Sequence, residues 1–134
     1  MNIVLELGIL TRPVLVFGGP YSNLQATLAI KAEAMRQGIA SDHCICTGDI
    51  VAYCADPLDT VKLIRDWGVS VVMGNCEESF ATEAQDCGCG FAEGTACDTL
   101  SKQWFAYADA RLDTSSRDWM KGLPNMIRFE LAGR

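Results

Sequence analysis

Three short apolar runs set the frame of this chain, because each one ends sharply at glycine, and the last two add a polar residue. Val14-Leu15-Val16-Phe17 runs into Gly18-Gly19-Pro20. Cys44-Ile45-Cys46 runs into Thr47-Gly48-Asp49, and Val69-Ser70-Val71-Val72-Met73 into Gly74-Asn75. Unbroken apolar runs of this length suit strands buried on both faces. Between the first two, Leu24, Leu28, Ala32 and Met35 recur at helical spacing, with Ser22 or Asn23 as N-cap and Gly38 as the stop. Between the second and third, Asp56-Pro57 opens a helix whose buried face is Val61, Leu63, Ile64 and Trp67, and Gly68 ends it. Strand, helix and strand in this order predict a parallel sheet with right-handed crossovers. In such sheets ligands collect at the C-terminal strand tips, so Asp49, a carboxylate at a tip, is the first candidate for chemistry.

The remaining elements follow the same periodicities. Residues 77–85 read as a short helix and 86–90 as a Cys/Gly-rich loop. Residues 99–110 form a helix with Leu100, Trp104 or Phe105, and Ala108 on one face, and 114–121 form another. Met126 to Leu131 alternates apolar and polar residues, as a half-exposed strand does. Residues 1–12 are an edge strand or an N-terminal extension. The expected architecture is α/β, a mainly parallel sheet with flanking helices, in one domain over 1–134.

Bulk properties narrow the function classes. The chain has 134 residues, enough for a real core, and a net charge of −6 with no basic cluster. Duplex nucleic acid and anionic membranes are therefore poor partners, and no apolar run is long enough for a membrane span. No basic leader or cleavage motif precedes Val4. The expectation is a cytoplasmic protein whose seven cysteines are free thiols.

The three tips, taken together, resemble the calcineurin-like metallophosphoesterase family, especially its small bacterial phosphodiesterase-like branch. There the blocks read roughly Asp-x-His-Gly-Asn-Leu, Gly-Asp-x-Val-Gly-Tyr-Gly-x-Asp-Pro and Gly-Asn-His-Asp/Glu. This chain carries Gly19-Pro20-Tyr21-Ser22-Asn23-Leu24, Gly48-Asp49-Ile50-Val51-Ala52-Tyr53-Cys54-Ala55-Asp56-Pro57 and Gly74-Asn75-Cys76-Glu77. The second block is the closest match. The likeness covers about the first half of the family's usual length. It implies the first half of an α/β/β/α sandwich, with two divalent metals (Mn, Fe, Zn or Mg) activating a hydroxide and clamping phosphoryl oxygens. It implies that Asp49 bridges the metals, that Asn75 ligates the second, and that Gly48, Gly74, Tyr21 and Asn23 shape the loops. The implied reaction is hydrolysis of a phosphomonoester or phosphodiester: a nucleotide, a dinucleoside polyphosphate or a phosphoprotein.

The chain departs from the pattern at defined positions. Gly19 and Tyr21 stand where the family has Asp and His, and Cys76 stands at the position of the phosphate-contacting His. The alternative reading is a scaffold that has kept the fold and lost the reaction, used for binding or oligomerisation. A truncated sandwich exposes a sheet edge, so dimerisation or strand exchange is expected.

Simpler readings stand beside these. Asp49 and Asn75 follow glycines, as turn residues do. Glu77 and Glu78 are acids in a first helical turn, favoured by the helix dipole. Cys76, Cys87, Cys89 and Cys97 form a zinc or redox module in a third reading, and a Cys87–Cys97 disulfide is another option. Their spacing favours free thiols. Cys44 and Cys46 read as small core residues, and Trp67, Trp104 and Trp119 as core anchors. The lone His43 begins its strand about 20 Å from Asp49 at 3.3 Å per residue. It is expected to be a solvated loop residue. Lys102, Arg111, Arg117 and Lys121 read as a solvated face.

Overall fold

A computed structural model describes residues 2–88 and 90–134. The elements in order are β1 (Val4–Leu10), β2 (Leu15–Phe17), α1 (Leu24–Arg36), β3 (Cys44–Cys46), α2 (Pro57–Trp67), β4 (Ser70–Val71), α3 (Asn75–Ala81), α4 (Ala96–Arg111), α5 (Thr114–Lys121) and β5 (Met126–Leu131). Two sheets result. One has three parallel strands in the order β2-β3-β4, and the other is a parallel pair of β1 and β5.

The three-stranded sheet forms where the sequence places its apolar runs, and all of β3 is buried. Small thiols at Cys44 and Cys46, both at 0% exposure, let the layers on that face approach closely. The strands are short because their tips turn at once into glycine loops. α2 supplies the main wall. Thr60, Val61, Ile64 and Trp67 lie along its buried stripe, and Gly68 ends it at φ 79°, a left-handed conformation that glycine takes without cost. Burying side chains such as Val61 and Ile64 stabilises by roughly 1.5–3 kcal/mol each. Phe17 of β2 stacks on Trp67 with ring centroids 5.3 Å apart. From the other side, Phe105 of α4 stacks on Phe80 of α3 at 4.5 Å, so α4 closes the core over the third strand tip. Trp67 and Trp104 are buried and Trp119 is half-buried against the core.

α1 does not bury the face that periodicity assigns to it. Thr27 and Ala34 are inside, whereas Leu28 is 48% and Met35 70% exposed. β2 is an edge strand of three residues, so a 13-residue helix over it has little sheet to cover and packs against α2 instead. On α4, Trp104, Phe105 and Ala108 are buried as expected, but Leu100 is 61% exposed and Ser101 takes the inward position. His43 is not solvated. It is 8% exposed in a short 3-10 turn before β3, with Nδ1 2.8 Å from Asp42 Oδ1. Arg117 is also drawn inward, beneath an ion pair with Asp109 and over the Phe80 ring.

Residues 1–12 supply a true strand. β1 pairs with β5 from Val4↔Met126 to Leu10↔Leu131, with a register shift between Glu6 and Gly8. Gly8 sits at φ 72° there, as a bulge requires. An Arg128–Glu6 ion pair crosses the outer face, and Ile9, Val4 and Met126 remain exposed.

The cysteines divide into three groups. Cys44, Cys46 and Cys76 are buried free thiols, and Cys54 and Cys97 are exposed free thiols. Cys87 is disulfide-bonded. The free-thiol expectation therefore fails at Cys87, and the Cys87–Cys97 pairing fails because Cys97 is free. A four-thiolate site with Cys87 as a thiolate fails for the same reason. Cys89 lies outside the described residues.

Candidate functional site

The three strand tips meet, and they are joined through the backbone. The Gly19 N–H donates to Gly48 O at 3.2 Å, Tyr21 N–H to Asp49 O at 3.2 Å, and Ser22 N–H to Ile50 O at 2.6 Å. Cys54 N–H returns to Tyr21 O at 3.0 Å and Asp56 N–H to Ser22 O at 3.0 Å. Close approach explains the glycines. A Cβ on Gly48 would lie 2.6 Å from both Gly74 N and Val72 O. A side chain at either position would force the second and third tips apart.

Asp49 sits half-buried at the centre, at φ 58°, a conformation that non-glycine residues rarely hold. The residue that holds it there is Glu77. Its carboxylate is wholly buried and accepts three backbone N–H groups: Asp49 at 2.9 Å, Ile50 at 2.7 Å and Gly74 at 2.8 Å. Desolvation pushes the Glu77 carboxyl up, and the three N–H groups pull the other way. Glu77 is thus more than an exposed first-turn acid, and it is not aimed at a ligand. At N3 of α3 it reaches back to the N-cap Gly74 N–H, the one half of a capping box that a glycine N-cap allows.

The side chains around Asp49 are arranged unusually. Asp49 Oδ1 accepts the Cys76 N–H at 3.4 Å. Burial, then the Asp49 and Glu77 carboxylates, push the Cys76 thiol far above its usual range, so it stays protonated. Cys46 beneath is pushed up to about 12, mainly by burial. Asn75 is exposed, and its Nδ2 donates to Cys87 O at 2.9 Å, which ties the tip to the Cys/Gly loop. Asn23 is spent on the fold: its side chain caps α1 by accepting from Ala26 N–H at 3.0 Å.

At the first tip the Tyr21 ring covers Gly19. A Cβ on Gly19, which stands at φ 61°, would lie 2.5 Å from Tyr21 Cζ. The two departures at this tip are therefore one steric unit, glycine beneath and ring above. Tyr21 also meets Tyr53 edge to face at 5.0 Å, and Tyr53 leans on Trp104 at 5.4 Å. Sequence reading did not single out Tyr53. Its only signal was its place within the second block.

These residues do not fit a two-metal centre. Gly19 offers no ligand atom and has no room for one under Tyr21. Cys76 stands where the family has a histidine, and Glu77 is committed to backbone N–H groups. Among the described residues no group of three or more His, Cys, Asp or Glu stands close enough to share a cation. His43 lies at the N-terminal end of β3, opposite the tips.

Comparison with known proteins agrees with the fold. No family model matches the sequence. An uncharacterized protein of Methanocaldococcus jannaschii is 39% identical over 62 residues, which is 46% of this chain and 25% of that protein. Among solved structures, a metallophosphoesterase from Sphaerobacter thermophilus superposes with a TM-score of 0.58 at 23% identity, over 84% of this chain and 41% of that one. A structure described as a "putative diadenosine tetraphosphatase" superposes with a TM-score of 0.66 at 20% identity, over 96% of this chain and 50% of the other. The chain thus has the α/β fold found in part of metallophosphoesterase structures, and it spans half or less of the length of the proteins it matches. No helix among the described residues is long and apolar enough to cross a membrane.

Proposed function

We propose that this chain is a metallophosphoesterase-fold module that binds a small-molecule ligand at its joined strand tips and does not run two-metal phosphoester hydrolysis. The observation that carries this reading is the Tyr21 ring over Gly19, which takes the space of a ligating side chain at the first tip. Cys76 adds to it, since a buried thiol pushed far above its usual range is not an acid of useful strength at neutral pH.

One observation favours a second reading, metal-dependent hydrolysis of a phosphorylated small molecule or phosphoprotein. Asp49 is held at φ 58° by a buried glutamate, and backbone strain of this kind gathers at functional sites. In that reading Asp49 and Asn75 are ligands and further ligands come from outside the described residues. A single assay separates the two: hydrolysis of bis(4-nitrophenyl) phosphate with Mn²⁺, wild type beside Asp49→Ala. The binding reading expects wild type to match Asp49→Ala. Mn²⁺-stimulated turnover that disappears in Asp49→Ala would establish the second reading in its place.

A further inference from the structure

Beside the Tyr21 ring lies a cavity. It has a volume of about 220 Å³ and opens between the end of β2 and the first turns of α1. Phe17, Ile30 and the Tyr21 ring form its walls, and Asn23, Thr27 and Cys54 stand among its lining residues. We propose that this cavity takes one neutral, planar heteroaromatic ring of nucleobase type. This deepens the binding reading above by giving the ligand a chemical class.

Three observations support this. The first is charge. No Lys, Arg or His lines the cavity, and the chain carries a net charge of −6, so a phosphate or carboxylate finds no counter-charge here. The second is size and surface. Sites for whole drug-sized ligands run to roughly 300–1,000 Å³. The smaller volume here, with aromatic and aliphatic walls, suits a single ring system held by stacking, with a few polar atoms to orient it. The third is backbone strain. Among the described residues, Tyr21 at φ 51° lines this cavity in a backbone conformation rare for non-glycine residues, and its edge-to-face partner Tyr53, at φ 64°, shares that conformation. Both tyrosines stand outward, 40% and 55% exposed, so the Tyr21 ring is free to meet a ligand. Tyr53 in turn leans on the Trp104 indole, which makes that tryptophan a reporter of the site.

Tryptophan fluorescence and calorimetry on the full chain test this with the four common nucleosides and with ribose 5-phosphate and inorganic phosphate as controls. At least one nucleoside should bind saturably. Neither control should bind or compete. Tyr21→Ala should weaken binding about tenfold, the loss of one stacking partner, and Tyr21→Phe should retain it. Ala26→Leu narrows the cavity from an exposed helical position and should abolish binding with the circular dichroism spectrum unchanged. No saturable nucleoside binding, or binding that Ala26→Leu leaves intact, overturns the proposal. So does competition by inorganic phosphate. Phosphodiester turnover is read separately: Mn²⁺-dependent hydrolysis would overturn the binding-only function and leave the ring cavity standing.

Discussion

The carboxylate of Glu77 sets the backbone of Asp49. Its Oε2 accepts the Asp49 N–H at 2.9 Å and its Oε1 the Ile50 N–H at 2.7 Å, across 28 and 27 residues of sequence. The same Oε2 accepts Gly74 N–H at 2.8 Å, so one buried side chain joins the second tip to the third. Glu77→Gln keeps the shape and replaces one acceptor with an NH₂ that faces buried N–H groups. Leaving such a donor unpaired costs about 1–3 kcal/mol. Glu77→Gln is expected to unfold at lower denaturant with an unchanged m-value and to lose several degrees in Tm. Wild-type stability in this variant would mean that the tips are held by their glycines alone.

The steric unit at the first tip gives a coupling prediction. Gly19→Asp places a side chain against the Tyr21 ring at a φ of 61° and is expected to destabilise by about 2–3 kcal/mol. Tyr21→Ala removes the ring. The double variant should therefore be more stable than the two single losses predict, by about 1 kcal/mol or more. Chemical denaturation of the four proteins reads the coupling. Strict additivity would show that the ring does not occupy the space above Gly19.

Much of this fold was legible because apolar patterning leaves a plain mark, although full burial on both faces holds only for Cys44–Cys46 and not for the edge strand Leu15–Phe17. Cys44–Cys46, Thr114–Lys121 and Met126–Leu131 lie where the apolar patterns place them. The errors share a physical cause, which is that periodicity reports a helix's apolar face but not what lies opposite it. Leu28, Met35 and Leu100 fit a core pattern, yet they face solvent because the small sheet offers nothing to cover them. At the site the sequence identified the tips and the departures at Gly19, Tyr21 and Cys76. It did not reveal that Tyr21 covers Gly19, that the Cys76 N–H donates to Asp49, or that the Glu77 carboxyl is spent on backbone N–H groups. Those are consequences of distance, and only the folded chain brings the partners within reach.

The thiols should separate by burial and acidity. Cys54 and Cys97 are exposed, whereas Cys44, Cys46 and Cys76 are buried. Burial and neighbouring carboxylates push Cys76 up, and burial pushes Cys46 up to about 12, so neither supplies thiolate at ordinary pH. Iodoacetamide at pH 8 followed by peptide mass spectrometry should label Cys54 and Cys97 within minutes. The three buried thiols should react only when denaturant is added. Raising the pH from 7 to 9 should still leave Cys76 unlabelled. Early labelling of Cys76 would show an accessible thiolate beside Asp49 and remove one support of the binding reading.

The last prediction concerns the two-stranded sheet. β1 and β5 pack chiefly against each other. Their outward residues Val4, Glu6, Ile9, Met126, Arg128 and Glu130 are all exposed, and none of their residues belongs to the main core cluster. A two-stranded ribbon without a covering layer is marginal in water, and parallel pairs usually occur covered on both faces. The Arg128–Glu6 pair, exposed on both sides, adds little. Local opening should therefore cost far less here than in β3 and α2, whose residues are wholly or largely buried. Native-state hydrogen exchange of a dilute sample should show amides of 4–10 and 126–131 exchanging at least about tenfold faster than those of 44–46 and 60–67. If protection in the ribbon rises with protein concentration, a second copy is covering it, and light scattering over the same range should show the mass doubling. Core-level protection at the lowest concentration would mean that the ribbon is stable by itself, against the argument from its packing.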